Sequence, residues 1–163
     1  MEESLTVRLK ELLKLKEMDA DSYSPLALAY IGDAAYELLI RTKVMNHGNV
    51  QVNKMHKRTA DLVKAGTQAR LYKLIEEELA EEERAVYRRG RNAKSGTMAR
   101  HATVADYRTA TGFEALMGWL YLRGDIERMA ELTAAGLSKA GMLRDGMSSV
   151  EGREKPENHM QGR

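Results

Sequence analysis

Apolar residues recur along this chain at helical spacing, and nowhere at the alternating spacing of a strand for long enough to predict one. Leu5, Leu9, Leu12, Leu13 and Leu15 predict an amphipathic helix over roughly residues 4–17. After a polar break at Met18 to Ser24, Ser24 and Pro25 form an N-cap and first-turn pair. They open a helix predicted to run to about Asn46, ahead of the turn residues His47, Gly48 and Asn49. Two shorter amphipathic helices are predicted from Asn53 to about Ala65 and from Thr67 to about Leu79, divided by Gly66. Glu76 to Glu83 is an acidic run that reads as a solvated turn and the exposed start of another helix. Residues 87–101, YRRGRNAKSGTMARH, are basic and broken by glycine, and are the predicted functional loop. A long apolar helix follows over Thr103 to Arg123, and Gly124-Asp125 starts a last amphipathic helix to about Lys139. The expected fold class is all-α, one domain over residues 1–140 followed by a disordered polar tail over 141–163.

Two carboxylates interrupt this pattern. In SPLALAYIGDAAYE, Asp33 follows Gly32 inside a run with the composition of a buried helix, and in GFEALMG the same holds for Glu114. An unpaired buried carboxylate is expensive, and a helix-interior glycine costs about 1 kcal/mol relative to alanine. Small residues allow close packing, so Ala29, Gly32 and Gly118 would let two helices approach until Asp33 and Glu114 converge on a Mg²⁺ ion. Glu37 lies one turn beyond Asp33 and is a candidate third ligand, or it bridges Arg41 at i+4. Arg88, Arg89, Arg91, Asn92, Lys94 and Ser95 supply cations, an amide and a hydroxyl suited to phosphates, or form an ordinary solvated surface. His56, Lys57 and Arg58 are a second candidate RNA-facing group, with an exposed polar helix face as the alternative. The four histidines show no paired ligand spacing, and Tyr30, Tyr36, Trp119 and Tyr121 read as core or interface aromatics.

Composition narrows the setting. A chain of 163 residues, 43% hydrophobic, can build one domain with a real core. No apolar run approaches the roughly 20 residues of a membrane helix, so no membrane partner is expected. The absence of cysteine excludes disulfides and thiolate metal sites and fits a reducing cytosol. With no secretory pattern in the first segment, a cytoplasmic location is expected. The net charge of +2 is small but unevenly spread.

With the motifs in order, the chain resembles the ribonuclease III family. LAYIGDAAYE is similar to that family's signature helix, and YRTATGFEALMG to its second metal-binding helix. The absent first signature Glu, the NAKSG loop and the short chain resemble the Mini-ribonuclease III branch in particular, and with NKMHKR and YRRGRNAKSG among the ordered motifs the match covers about residues 20–135. The resemblance implies a homodimeric, Mg²⁺-dependent endonuclease of double-stranded RNA that leaves 5′-phosphate and 3′-hydroxyl ends. It further implies maturation of large-subunit (23S) ribosomal RNA precursors, with a ribosomal protein on the pre-ribosomal particle as a candidate partner. Asp33 and Glu114 take the catalytic and metal-ligand positions in this reading. RNA contacts are expected from His56, Lys57, Arg58, Arg91, Asn92, Lys94 and Ser95. The polar tail is too short for a double-stranded RNA-binding domain, so substrate affinity is expected to come from the helical domain itself.

The match has departures. Ala29 stands where the classical signature has Glu, and Thr111 where the second helix has Asp. Thr111 shares a helix face with Glu114 and Gly118 and is a candidate to hold a water of the metal's shell; Glu37 is a candidate replacement for the acid missing at Ala29. Two other classes compete. A catalytically inactive double-stranded RNA-binding protein of the same fold would also lack these acids. A helical nucleotide pyrophosphohydrolase needs ExxE followed by ExxD, and only the first is present, at Glu78 to Glu81.

Overall fold

The computed structural model describes residues 4–94 and 103–144. Among these, the regular structure is helical: α1 (Leu5–Leu12), α2 (Pro25–Met45), α3 (Val52–Val63), α4 (Ala65–Ile75), α5 (Glu81–Asn92), α6 (Val104–Leu122) and α7 (Ile126–Lys139). Short 3-10 turns stand at Ala20–Ser22 and Glu76–Glu78. The all-α expectation holds for the described residues. The expected disordered tail falls almost wholly outside them, from residue 145 onward.

Helix α6 is the axis of the domain. Phe113, Ala115, Leu116 and Met117 follow one another around it, and none has exposed surface. A helix that is apolar on every side has to be covered on every side, and α2, α4 and α5 pack around α6. Helix α3 lies on α2, and α7 covers α4 and α6. Tyr36 of α2 meets Phe113 edge to face at 5.3 Å, and its hydroxyl donates to the Leu62 carbonyl at 2.6 Å. Phe113, Met117 and Trp119 therefore belong to the core, which settles Trp119 as a core aromatic.

The helix starts follow local chemistry. Ser24 accepts from the Ala27 amide at 3.2 Å, Thr103 from Asp106 at 3.1 Å and Asp125 from Arg128 at 3.2 Å, each satisfying an N–H that the first turn leaves free.

Four expectations are corrected. Helix α1 stops at Leu12, and Leu5, Leu12, Leu13 and Leu15 are exposed while Thr6 is buried. The break between α3 and α4 falls at Lys64, whose backbone is extended, and Gly66 sits within the first turn of α4. The basic segment begins as helix: Arg88, Arg89, Arg91 and Asn92 belong to α5. Gly90 is there for packing and does not make a turn, since a Cβ on it would stand 2.7 Å from Ala115 Cβ and 2.9 Å from Gly112 Cα. Finally, Glu83 is not a solvated acid. It is buried, accepts from the Ala80 amide at 2.8 Å, and takes two hydrogen bonds from Arg128 at 2.9 Å.

Candidate active site

Helices α2 and α6 cross at two glycines that answer each other. A Cβ on Gly32 would fall on the backbone carbonyl of Glu114, and one on Gly118 would fall on the carbonyl of Leu28. Leu28 is one turn before Gly32, and Glu114 one turn before Gly118, so each glycine receives the carbonyl lying one turn ahead of its counterpart. This contact brings Asp33 and Glu114 to one cleft of about 490 Å³, also lined by Tyr30, Lys64, Tyr107 and Thr111.

The two acids differ in environment. Asp33 is exposed and Glu114 half-buried. Burial, then the charge of Asp33, push the Glu114 carboxyl up to about 8, against a hydrogen bond from Gln68 that favours its charged form. Asp33 is raised as well, by burial and then by Glu37. Two acids whose proton affinities are both raised can be neutralised by a proton or by a cation. All-oxygen carboxylate donors fit a hard ion such as Mg²⁺, so the residues present suit that cofactor. The Thr111 hydroxyl donates to the Tyr107 carbonyl at 2.9 Å, which leaves its lone pairs to accept from a water.

The other expected residues divide. Glu37 stands 3.7 Å from Arg41, and among the described residues no three His, Asp or Glu side chains gather as a metal-binding group. Glu37 thus stands between two partners, Arg41 and the Asp33 carboxyl whose proton affinity it raises. Arg91 and Lys94 line a second cleft of about 360 Å³ with Tyr107, Arg108 and Thr111. Tyr107 and Thr111 are common to both clefts, so the cationic one adjoins the acidic one. Asn92 is exposed beside Arg91 but does not line that cleft, and Ser95 lies outside the described residues. His56, Lys57 and Arg58 are exposed on α3, with His56 on a separate small cleft beside Arg41, Met45 and Thr59.

Two polar residues at the site escaped the sequence reading: Gln68 and Arg108. Tyr107 was within reach, being one turn before Thr111 on the face that carries Glu114 and Gly118. Lys64 and Gln68 come from another helix junction, and no spacing along the chain links them to Asp33 or Glu114.

This helical arrangement, with its acids at the α2–α6 crossing, is that of a known nuclease class. The family profile described as Ribonuclease III domain matches residues 26–125. Mini-ribonuclease 3 of Thermoanaerobacter sp. (strain X514) is 48% identical over 81% of this chain and 93% of its own length. Mini-ribonuclease 3 of Enterococcus faecalis (strain ATCC 700802 / V583) is 46% identical over 76% of this chain and 95% of its own. The crystal structure of a Fusobacterium nucleatum protein is similar with a TM-score of 0.68 and 32% identity, covering 76% of this chain and 99% of that one. The chain belongs to the ribonuclease III family of endoribonucleases, and within it to the Mini-ribonuclease 3 branch.

Proposed function

We propose that this chain is a Mg²⁺-dependent endoribonuclease of double-stranded RNA that matures the ends of large-subunit ribosomal RNA precursors and works as a homodimer in the cytoplasm. The observation that carries the reading is the coupled pair Asp33 and Glu114 at the α2–α6 crossing, opening on a cleft that adjoins Arg91, Lys94 and Arg108. When bound, Mg²⁺ supplies Lewis acidity at the scissile phosphate and an acidified water as nucleophile. Asp33 and Glu114 would hold the ion, whose charge would favour their ionised forms against burial. Arg91, Lys94 and Arg108 face the phosphates along the backbone, and Thr111 orients a water through its free lone pairs.

Support for a homodimer comes from α2, where Tyr30 is 82%, Leu38 64% and Met45 57% exposed. With the exposed Ala34 they form a stripe along one face of that helix. A stripe of large apolar side chains beside the acidic cleft suits a second copy of the chain. The decisive experiment incubates the purified protein with a labelled large-subunit ribosomal RNA precursor, with and without Mg²⁺. Cleavage to 5′-phosphate ends only in the presence of metal is expected. Binding without cleavage at any divalent ion concentration would replace this reading with that of an inactive duplex-binding protein.

A further inference from the structure

Among the described residues, one cation lines the acidic cleft itself: Lys64 stands there with Asp33 and Glu114, while Arg91, Lys94 and Arg108 line the neighbouring cleft. Lys64 is the break where α3 ends and α4 begins, and its backbone is extended. Two buried side chains of α4 hold that break in place. Thr67 Oγ1 donates to the Asp61 carbonyl at 2.6 Å and Gln68 Nε2 to the Val63 carbonyl at 3.0 Å, and both acceptors belong to the last turn of α3, whose carbonyls lack helical partners. The first turn of α4 also abuts the start of α6, since a Cβ on Gly66 would stand 3.9 Å from Asp106 Oδ2. The fold thus fixes the Lys64 backbone at the cleft and leaves its side chain exposed.

Local stability does not explain a lysine at this point. The position is the N-cap of α4, where Ser, Thr, Asp or Asn would accept from a first-turn amide, and Lys64 leaves the cap without a side-chain bond. Its charge suits the C-terminus of α3 and opposes the N-terminus of α4, so the two helix dipoles offset each other. Nor does it act as a counter-ion. Among the described residues it pairs with no carboxylate, neither Asp33 nor Glu114 in the same cleft, nor Asp61 one turn earlier on α3. A cation that stands beside two acids and pairs with neither is available to an anion entering the cleft, and for a nuclease that anion is a phosphate of the RNA backbone.

We propose that Lys64 is a catalytic residue whose ammonium contacts a non-bridging oxygen of the scissile phosphate. The inference rests on reading the Asp33–Glu114 cleft as the site of cleavage and adds a cation to it. In hydrolysis to 5′-phosphate and 3′-hydroxyl ends, a water oxygen bonds to phosphorus as the bond from phosphorus to the 3′-oxygen breaks; the water gives up one proton and the 3′-oxygen gains one. Lys64 takes no part in these proton transfers. Its charge holds the phosphoryl oxygens as negative charge gathers on them in the transition state.

The test combines steady-state cleavage of a labelled duplex RNA in Mg²⁺ with duplex affinity in Ca²⁺. Lys64→Ala is expected to lower the rate at saturating RNA about 100-fold, the scale for removing one donor to a developing oxyanion, while affinity falls by less than about tenfold. Lys64→Arg keeps the charge and is expected to recover most of that rate. Lys64→Ser supplies the missing cap, so it is expected to melt no lower than wild type and still to cleave as poorly as Lys64→Ala. Lys73→Ala, near the other end of α4 and equally exposed, is expected to match wild type in rate and affinity. A wild-type rate at saturating RNA in Lys64→Ala, a loss confined to affinity, a Lys64→Arg protein as slow as Lys64→Ala, or an equal loss in Lys73→Ala overturns the proposal. The two levels fail separately. A wild-type protein that binds the duplex and cuts it at no Mg²⁺ concentration ends the reading of the cleft and this inference with it. A wild type that cuts, beside a Lys64→Ala protein that cuts equally well, ends the inference alone.

Discussion

Gly32 and Glu114 meet backbone to backbone: the carbonyl oxygen of Glu114 occupies the space that a Cβ at position 32 would need. The obstacle is backbone on an opposing core helix, which cannot rotate away as a side chain can. Gly32→Ala should therefore destabilise the fold by more than about 3 kcal/mol or force α2 off α6. Gly66→Ala should do the opposite. A Cβ there would meet only Asp106 Oδ2, at 3.9 Å, and its φ is not positive, so alanine should be neutral or stabilise by about 0.4–1 kcal/mol. Thermal and denaturant melts of both variants check the contrast, and a wild-type-like Gly32→Ala protein would refute the close crossing.

Asp33→Asn and Glu114→Gln keep volume and remove charge. Each should reduce cleavage by orders of magnitude. In metal-free buffer neither should lower the melting temperature, because both acids are held against burial and a neighbouring like charge, Glu37 for Asp33 and Asp33 for Glu114. Near-normal cleavage by either variant at matched Mg²⁺ would strike that residue from the ligand set.

Glu37 stands near Arg41 and outside any three-acid group among the described residues. Glu37→Gln should leave the Mg²⁺ concentration for half-maximal cleavage where it is. A clear rise in that concentration would restore Glu37 to the metal site.

The cationic cleft should govern affinity more than chemistry. Replacing Arg91 and Lys94 with alanine should weaken binding to duplexes of any sequence. It should also flatten the slope of log affinity against log salt by about one unit per lost contact. Binding is measured with Ca²⁺ in place of Mg²⁺ to prevent turnover, and cleavage at saturating RNA should change much less. An unchanged slope would move attention to Lys57 and Arg58 on α3.

Glu83 couples α5 to α7 through Arg128, and its pKa carries a sign. Burial pushes the carboxyl up, but hydrogen bonds from Arg128 and the Ala80 amide outweigh it and leave the folded value below the ordinary 4.5. Between the two values the unfolded chain binds more protons than the folded one, so stability falls as pH falls. The contribution is fully present above about pH 4.5 and is lost as pH drops through the folded value. Glu83→Gln should cost about 2–3 kcal/mol at neutral pH, and its gap to wild type should shrink in acid. A gap that is constant with pH would show that the pair contributes by packing alone.

Much of this architecture was legible along the chain because it depends on neighbours three or four residues apart. Ser24, Thr103 and Asp125 cap the helices they were expected to open, since a cap needs only its own first turn. The pairing of Asp33 with Glu114 was legible too, because glycine and carboxylate recur together on two apolar helices. Local pattern misread Gly66 and Gly90, which look like punctuation but lie within helices. Whether a glycine breaks a helix or admits a neighbour depends on what packs against it, and Gly90 faces Gly112 and Ala115 of α6. The same limit hid Gln68 and Arg108, and it made the acid at Glu83 look solvated when Arg128 covers it. Helical periodicity states which side chains share a face. Only tertiary packing decides which faces meet, because each contact is set by the crossing of two backbones far apart in sequence.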